Sequence, residues 1–148
     1  MAPERDAPAA ADPDADRYGA SYSVYGDVDV DALLATARPW APFRSWLKGD
    51  PVAGGRVATT AGVTIDIGDD RARVEPAILR FLLEERVFLA AASKLVSPGV
   101  RSVLTCRMGV RATVPSQVVL SPTAVAQIAA ARVELEVVGY PCADRSDP

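Results

Sequence analysis

Residues 45–51, Ser-Trp-Leu-Lys-Gly-Asp-Pro, gather the densest set of groups in the chain that could do chemistry. Trp46 can form a stacking wall or pin a loop. Lys48 can meet an anion, and Asp50 can accept from a ligand's donor. Gly49 between them permits a left-handed turn or a close backbone approach. Asp50 before Pro51 also favours turn initiation, so an anchored connection explains the same residues without any ligand. Carboxylates are the other candidates for acid–base work. Glu85 falls on a helical wheel among Ile78, Phe81, Leu82 and Leu89, where burial raises a carboxyl pKa and suits it to proton transfer. An arginine partner at the edge of the sheet, or a slightly rotated helix, accounts for the same position. Asp69-Asp70 could ligate a hard cation, although a surface turn explains them more simply.

The absences narrow the chemistry further. The chain has no histidine, which removes Ser-His-Asp and Cys-His nucleophile pairs. Two cysteines, Cys106 and Cys142, cannot fill a zinc shell alone. They read as a buried thiol and a tail thiol in a reducing compartment. No stretch follows the phosphate-loop or dinucleotide glycine patterns, and Gly54-Gly55 reads as a turn. The expectation is therefore no catalytic residue, no metal and no cofactor.

The elements that must position these groups can be read from periodicity. Residues 21–25 form a strand, and Asp27 or Asp29 caps a helix that ends at Pro39. Residues 40–56 are a connection. Val63, Ile65 and Ile67 alternate with Thr64, Asp66 and Gly68, which predicts a strand closed by a turn at Gly68-Asp69-Asp70. Residues 75–95 predict one long helix with Pro76 in its first turn. Residues 100–111 alternate again: Ser102, Leu104, Cys106 and Met108 on one side, Arg101, Val103, Thr105 and Arg107 on the other. Ser121-Pro122 starts a last helix, which leads into Val133-Glu134-Leu135-Glu136-Val137. This order predicts an α+β two-layer sandwich: a four- to five-stranded mixed or mainly antiparallel sheet with helices on one face. Its leading topology is ferredoxin-like.

If the apolar faces turn toward the helices, the opposite sheet face carries Asp66, Arg101, Thr105, Arg107, Glu134 and Glu136. Opposite charges on neighbouring strands form weak cross-strand pairs on a solvated face. The same residues could instead recognise a partner.

Charge sits mostly at the ends. Residues 1–20 carry a net −3 and residues 141–148 a net −1, so the body is close to neutral within a total of −3. A neutral body gives no electrostatic reason to expect nucleic acid or an anionic membrane. The Ala/Pro/Asp-rich residues 1–19 cannot bury enough apolar surface to fold, and they lack the apolar run of a secretory signal. A disordered acidic tail (1–19), one globular domain (20–141) and a short flexible tail (142–148) follow, in a cytoplasmic protein.

The strand Ser-Tyr-Ser-Val-Tyr-Gly-Asp leading to a helix, then Trp46-x-Lys48-Gly49-Asp50, a long central helix, an alternating strand and a late helix running into Val133–Tyr140 form a recognisable succession. Over residues 21–140 it resembles the bacterial family known as domain of unknown function 4279. The chain departs from that pattern where Val138-Gly139 precedes Tyr140, a place where the family more often has an acid. The resemblance implies a small α+β domain, with Trp46, Lys48, Gly49 and Asp50 as motif positions.

Two functions remain open. One is a non-enzymatic interaction domain of immunity or antitoxin type, binding another protein or itself, without nucleic acid or membrane. The other is a small-molecule-binding domain or small enzyme near the Ser45–Pro51 loop, using Lys48 with Asp50, Asp66 and Glu85.

Overall fold

The computed structural model describes residues 18–70, 74–110 and 117–141. Strand β1 (Tyr18–Gly26) begins two residues before the expected domain start and lies at the sheet's centre. Helix α1 (Val30–Leu34) follows, with Asp29 Oδ1 accepting from the Ala32 N–H at 3.1 Å. The expected connection holds short strands β2 (Arg44–Trp46), β3 (Pro51–Val52) and β4 (Arg56–Val57). Long strand β5 (Ala61–Asp70), helices α2 (Glu75–Glu84) and α3 (Arg86–Leu95), strand β6 (Val100–Val110), helix α4 (Pro122–Ala130) and strand β7 (Glu134–Pro141) complete the chain.

The main sheet has the order β2-β5-β1-β6-β7, with β3 and β4 pairing separately. All its pairings are antiparallel except β6 with β7. This bears out an α+β sandwich on a mixed five-stranded sheet but not the ferredoxin-like order. That topology needs strands joined by a crossover helix to be separated by an intervening strand. Here α4 joins β6 to β7, which lie side by side in parallel, and β1 and β5 are adjacent and antiparallel.

Two element boundaries also differ from expectation. Gly68-Asp69-Asp70 does not turn; β5 runs on to Asp70. A bulge makes this possible. Ala20 pairs with Gly68 and Ser21 with Asp66, so Ile67 is skipped and the strand bends without stopping. Residues 75–95 form two helices because Glu85 leaves helical geometry at φ −104° and ψ 26°.

All four helices pack on one face. Val30 and Leu33 of α1, Ile78, Phe81 and Leu82 of α2, Phe88, Leu89 and Ala92 of α3, and Ile128 of α4 meet Tyr22, Val24, Val63, Ile65, Leu104 and Cys106 from the sheet. Tyr22 stacks between Phe81 and Phe88, and Phe43 lies 4.4 Å from Phe88, ring centre to ring centre. Cys106 is a free thiol in this core, and burial pushes its pKa up. Tyr18 and Gly19 of the expected 1–19 tail belong to β1, whereas its residues 1–17, the expected tail at 142–148 and Cys142 lie outside the described residues.

Candidate functional site

Alternation sends Val63 and Ile65 into the core, so Gly62, Thr64 and Asp66 face the other way. On that outer face no helix packs among the described residues. Neighbouring strands bring a row of side chains together across it. Trp46 pairs with Gly62, Gly62 with Tyr25, and Tyr25 with Arg101. A Cβ on Gly62 would meet Trp46 Cζ2 at 2.5 Å and Tyr25 Cβ at 2.7 Å. The glycine is what lets the indole lie across the sheet against the tyrosine. Arg101 then crosses the Tyr25 ring at 5.8 Å and donates to the Tyr25 hydroxyl at 2.9 Å. Its other guanidinium edge grips Glu134, Nε to Oε2 at 3.1 Å and Nη2 to Oε1 at 2.6 Å. The hydrogen bonds from Arg101 hold the Glu134 carboxyl below the ordinary range, and Glu134 in turn raises the Arg101 pKa.

A second cluster lies farther along the same face. Asp66 accepts from Arg44 at 3.3 Å and pairs with Arg107 at 3.5 Å, and Arg107 also donates to the Ser21 hydroxyl at 3.3 Å. Thr105 donates to Glu136 at 3.2 Å. Ser23 and Thr64 hydroxyls, 2.8 Å apart, bridge the strands between the two clusters. Three arginines thus pair with two carboxylates, Asp66 and Glu134, and Thr105 holds a third, Glu136, over a face that also carries the Trp46 and Tyr25 rings. Of the expected binding residues, Trp46, Asp66, Arg107 and Glu134 share this surface.

Lys48, Gly49 and Asp50 stand apart from it, in the turn after β2. Asp50 Oδ2 accepts from the Leu47 N–H at 2.7 Å, and the Asp50 and Ala58 backbones bond at 2.8 Å. Gly49 has φ +94°, the left-handed region that glycine enters without strain. Asp50 therefore serves the turn's own backbone. Exposed Lys48 borders an open cleft of about 420 Å³ with Asp27, Thr59 and Thr60, at the sheet end where β1 stops and β5 starts. The Trp46–Tyr25–Arg101 row runs one residue farther in.

Glu85 lies on the helical side, 2% exposed. Arg38 donates to its Oε1 at 2.6 Å, bonds Glu84 at 3.1 Å and stacks over Trp40 at 5.4 Å. The partner comes from the segment after α1, not from the sheet's edge. A buried carboxylate locked to an arginine at a helix break is a structural clamp, and nothing brings Lys48, Asp50 or Asp66 to it.

Reading residue by residue missed Tyr25 and Gly62. A glycine inside an apolar strand, opposite a tyrosine, was the available signal for a side chain crossing the sheet. Among the described residues no cluster of histidine, cysteine or carboxylate groups could hold a metal ion. None of the described helices is long and apolar enough to cross a membrane. No family model matches the chain, and no curated protein or solved structure matches it.

Proposed function

We propose that this protein is a non-enzymatic interaction domain, acting in the bacterial cytoplasm in the manner of an immunity protein or antitoxin, that docks a protein partner on the outer face of its sheet. The carrying observation is the bare five-stranded face with Trp46, Tyr25 and Arg101 in one row beside the Arg44–Asp66–Arg107 cluster. Tryptophan, tyrosine and arginine dominate the binding energy of protein interfaces. Side chains already held by neighbours lose little further freedom on binding. Paired charges of both signs select a complementary partner more than they add raw affinity. The same sequence features support kinship with the domain of unknown function 4279 family; the sheet order β2-β5-β1-β6-β7 in a member of that family would bear it out.

The test is capture with the full chain from its host, followed by titration of the purified pair. One stoichiometric protein is expected, with affinity at least about tenfold weaker for Trp46→Ala and for Asp66→Ala with Arg107→Ala, an interfacial loss of about 1.4 kcal/mol or more. Unchanged affinity in both variants would rule out this face. A second reading rests on the Lys48 cleft, which could take a small anionic ligand. It requires a co-purifying small molecule that quenches Trp46 fluorescence and is lost on Lys48→Ala.

A further inference from the structure

The cleft at the end of the sheet is lined by more than a cation. Asp27 borders it opposite in charge to Lys48, together with Thr59 and Thr60. Among the described residues neither Lys48 nor Asp27 forms an ion pair. Nor do the two threonine hydroxyls have a hydrogen-bond partner there. A positive and a negative charge therefore share one opening of about 420 Å³ without neutralising each other. Each is left to water or to a ligand.

The backbone fixes the segments that carry these groups. The Gly49 N–H donates to the Ala58 carbonyl at 2.8 Å, and the Ala58 N–H donates to the Asp50 carbonyl at 2.8 Å. The turn bearing Lys48 is thus tied to the residue just before Thr59. On the other side, the Asp27 N–H donates to the Gly99 carbonyl at 3.2 Å. A Cβ at Gly26 would run into that same carbonyl oxygen, so β1 ends in close backbone contact with Gly99. The lining between Asp27 and this contact is glycine backbone, with no side chain to fill the space.

We propose that the cleft binds a free α-amino acid as its zwitterion, with Lys48 meeting the carboxylate and Asp27 the ammonium group. This rests on the reading of the Lys48 cleft as a small-ligand site and narrows it. The two signs choose the ligand. Lys48 alone would take any small anion, but Asp27 on the same cleft disfavours a dianion such as phosphate and favours a ligand that also carries a cation. A peptide terminus offers one of those charges; a free amino acid offers both on one carbon. Hydroxyls donate and accept, so Thr59 and Thr60 can serve either end. Val28 and Ala61 add apolar contact for the ligand's own side chain. The volume lies within the roughly 300–1,000 Å³ of small-molecule sites.

The test follows amide shifts of the isotope-labelled full chain as each proteinogenic amino acid is added in turn, with acetate and inorganic phosphate as anion controls. At least one amino acid should shift Asp27, Lys48, Thr59 and Thr60 saturably. Its N-acetyl derivative lacks the ammonium group and its carboxamide lacks the carboxylate; each should bind at least about tenfold more weakly, the loss of one charge-assisted contact. Asp27→Asn and Lys48→Met, both at exposed positions, should show the same loss with unchanged circular dichroism. Asp66→Ala with Arg107→Ala should bind the amino acid as before, which separates this site from the docking face. Saturable binding of no amino acid would overturn the inference. If acetate or phosphate then bound and required Lys48, the cleft would stand as an anion site alone; if neither bound, that reading would fall too. Equal affinity for the N-acetyl derivative, or for Asp27→Asn, would also overturn the inference.

Discussion

Glu85 is the one charged side chain buried among the described residues, and its partner Arg38 remains about one-third exposed. That difference decides which half of the pair matters more. Arg38→Met leaves a buried carboxylate uncompensated, whereas Glu85→Gln leaves an arginine that can turn to Glu84 and water. Urea denaturation should therefore find Arg38→Met clearly the more destabilising of the two. Tyr22 is a second buried polar group; its hydroxyl lies 2.8 Å from Ser102, and burial raises its pKa to about 12 against the opposing effect of that hydrogen bond. Its folded value exceeds its unfolded value of 10.0, so its share of stability is complete below pH 10 and lost as pH rises toward 12. Ultraviolet titration should show a tyrosine ionising at about pH 12, and Tyr22→Phe should remove that step. Tyr22→Phe should lower stability by about 1–2 kcal/mol in urea, because Ser102 loses its buried partner. On the outer face the sign reverses. Glu134 is held low by Arg101, so its contribution is present above the ordinary carboxylate range and fades as pH falls through the lowered value. The Glu134 carboxyl resonance should titrate below the ordinary carboxylate range, and Arg101→Ala should return it to that range.

At the scale of elements, strands and caps were legible because their causes are local. Strict alternation in residues 100–110 gave β6 and its two faces, and Ser121-Pro122 gave the start of α4, where Ser121 Oγ accepts from the Ala124 N–H at 3.2 Å. The helical wheel placed Glu85 in an apolar face, and there it is buried. The helix break at Glu85 was not legible, since the Arg38 that binds it lies 47 residues away in sequence. The run of β5 through Gly68 was hidden for a similar reason: the bulge depends on pairing with β1. Gly62 shows what such pairing does for the site. Gly62→Ala brings a methyl group within 2.7 Å of Tyr25 Cβ and the Val24 carbonyl as well as into the Trp46 ring. In a Trp40→Phe background, this substitution should shift Trp46 emission to the red and cost about 1–3 kcal/mol. An unshifted spectrum would mean that Trp46 does not lie across Gly62.

At the scale of the whole molecule, sheet order escaped sequence reading because strand neighbours are chosen by the packing of every element at once. The α+β class and the side on which the charges emerge could be read; the adjacency of β1 with β6, and of β6 with parallel β7, could not. That adjacency assembles the surface. It brings Trp46 of β2, Gly62 of β5, Tyr25 of β1 and Arg101 of β6 into one row, from which Arg101 reaches Glu134 of β7. The helices cover the other face completely enough to bury Tyr22, Phe88 and Leu104, so the molecule presents one packed side and one bare, ordered side. The most direct test is the change in amide chemical shifts of the labelled full chain as a captured partner is added. Perturbations confined to the outer-face residues Ser21, Ser23, Tyr25, Thr64, Asp66, Arg101, Thr105 and Arg107 are the expected result. Perturbations centred instead on the exposed helical residues Leu83 and Val87 would contradict it.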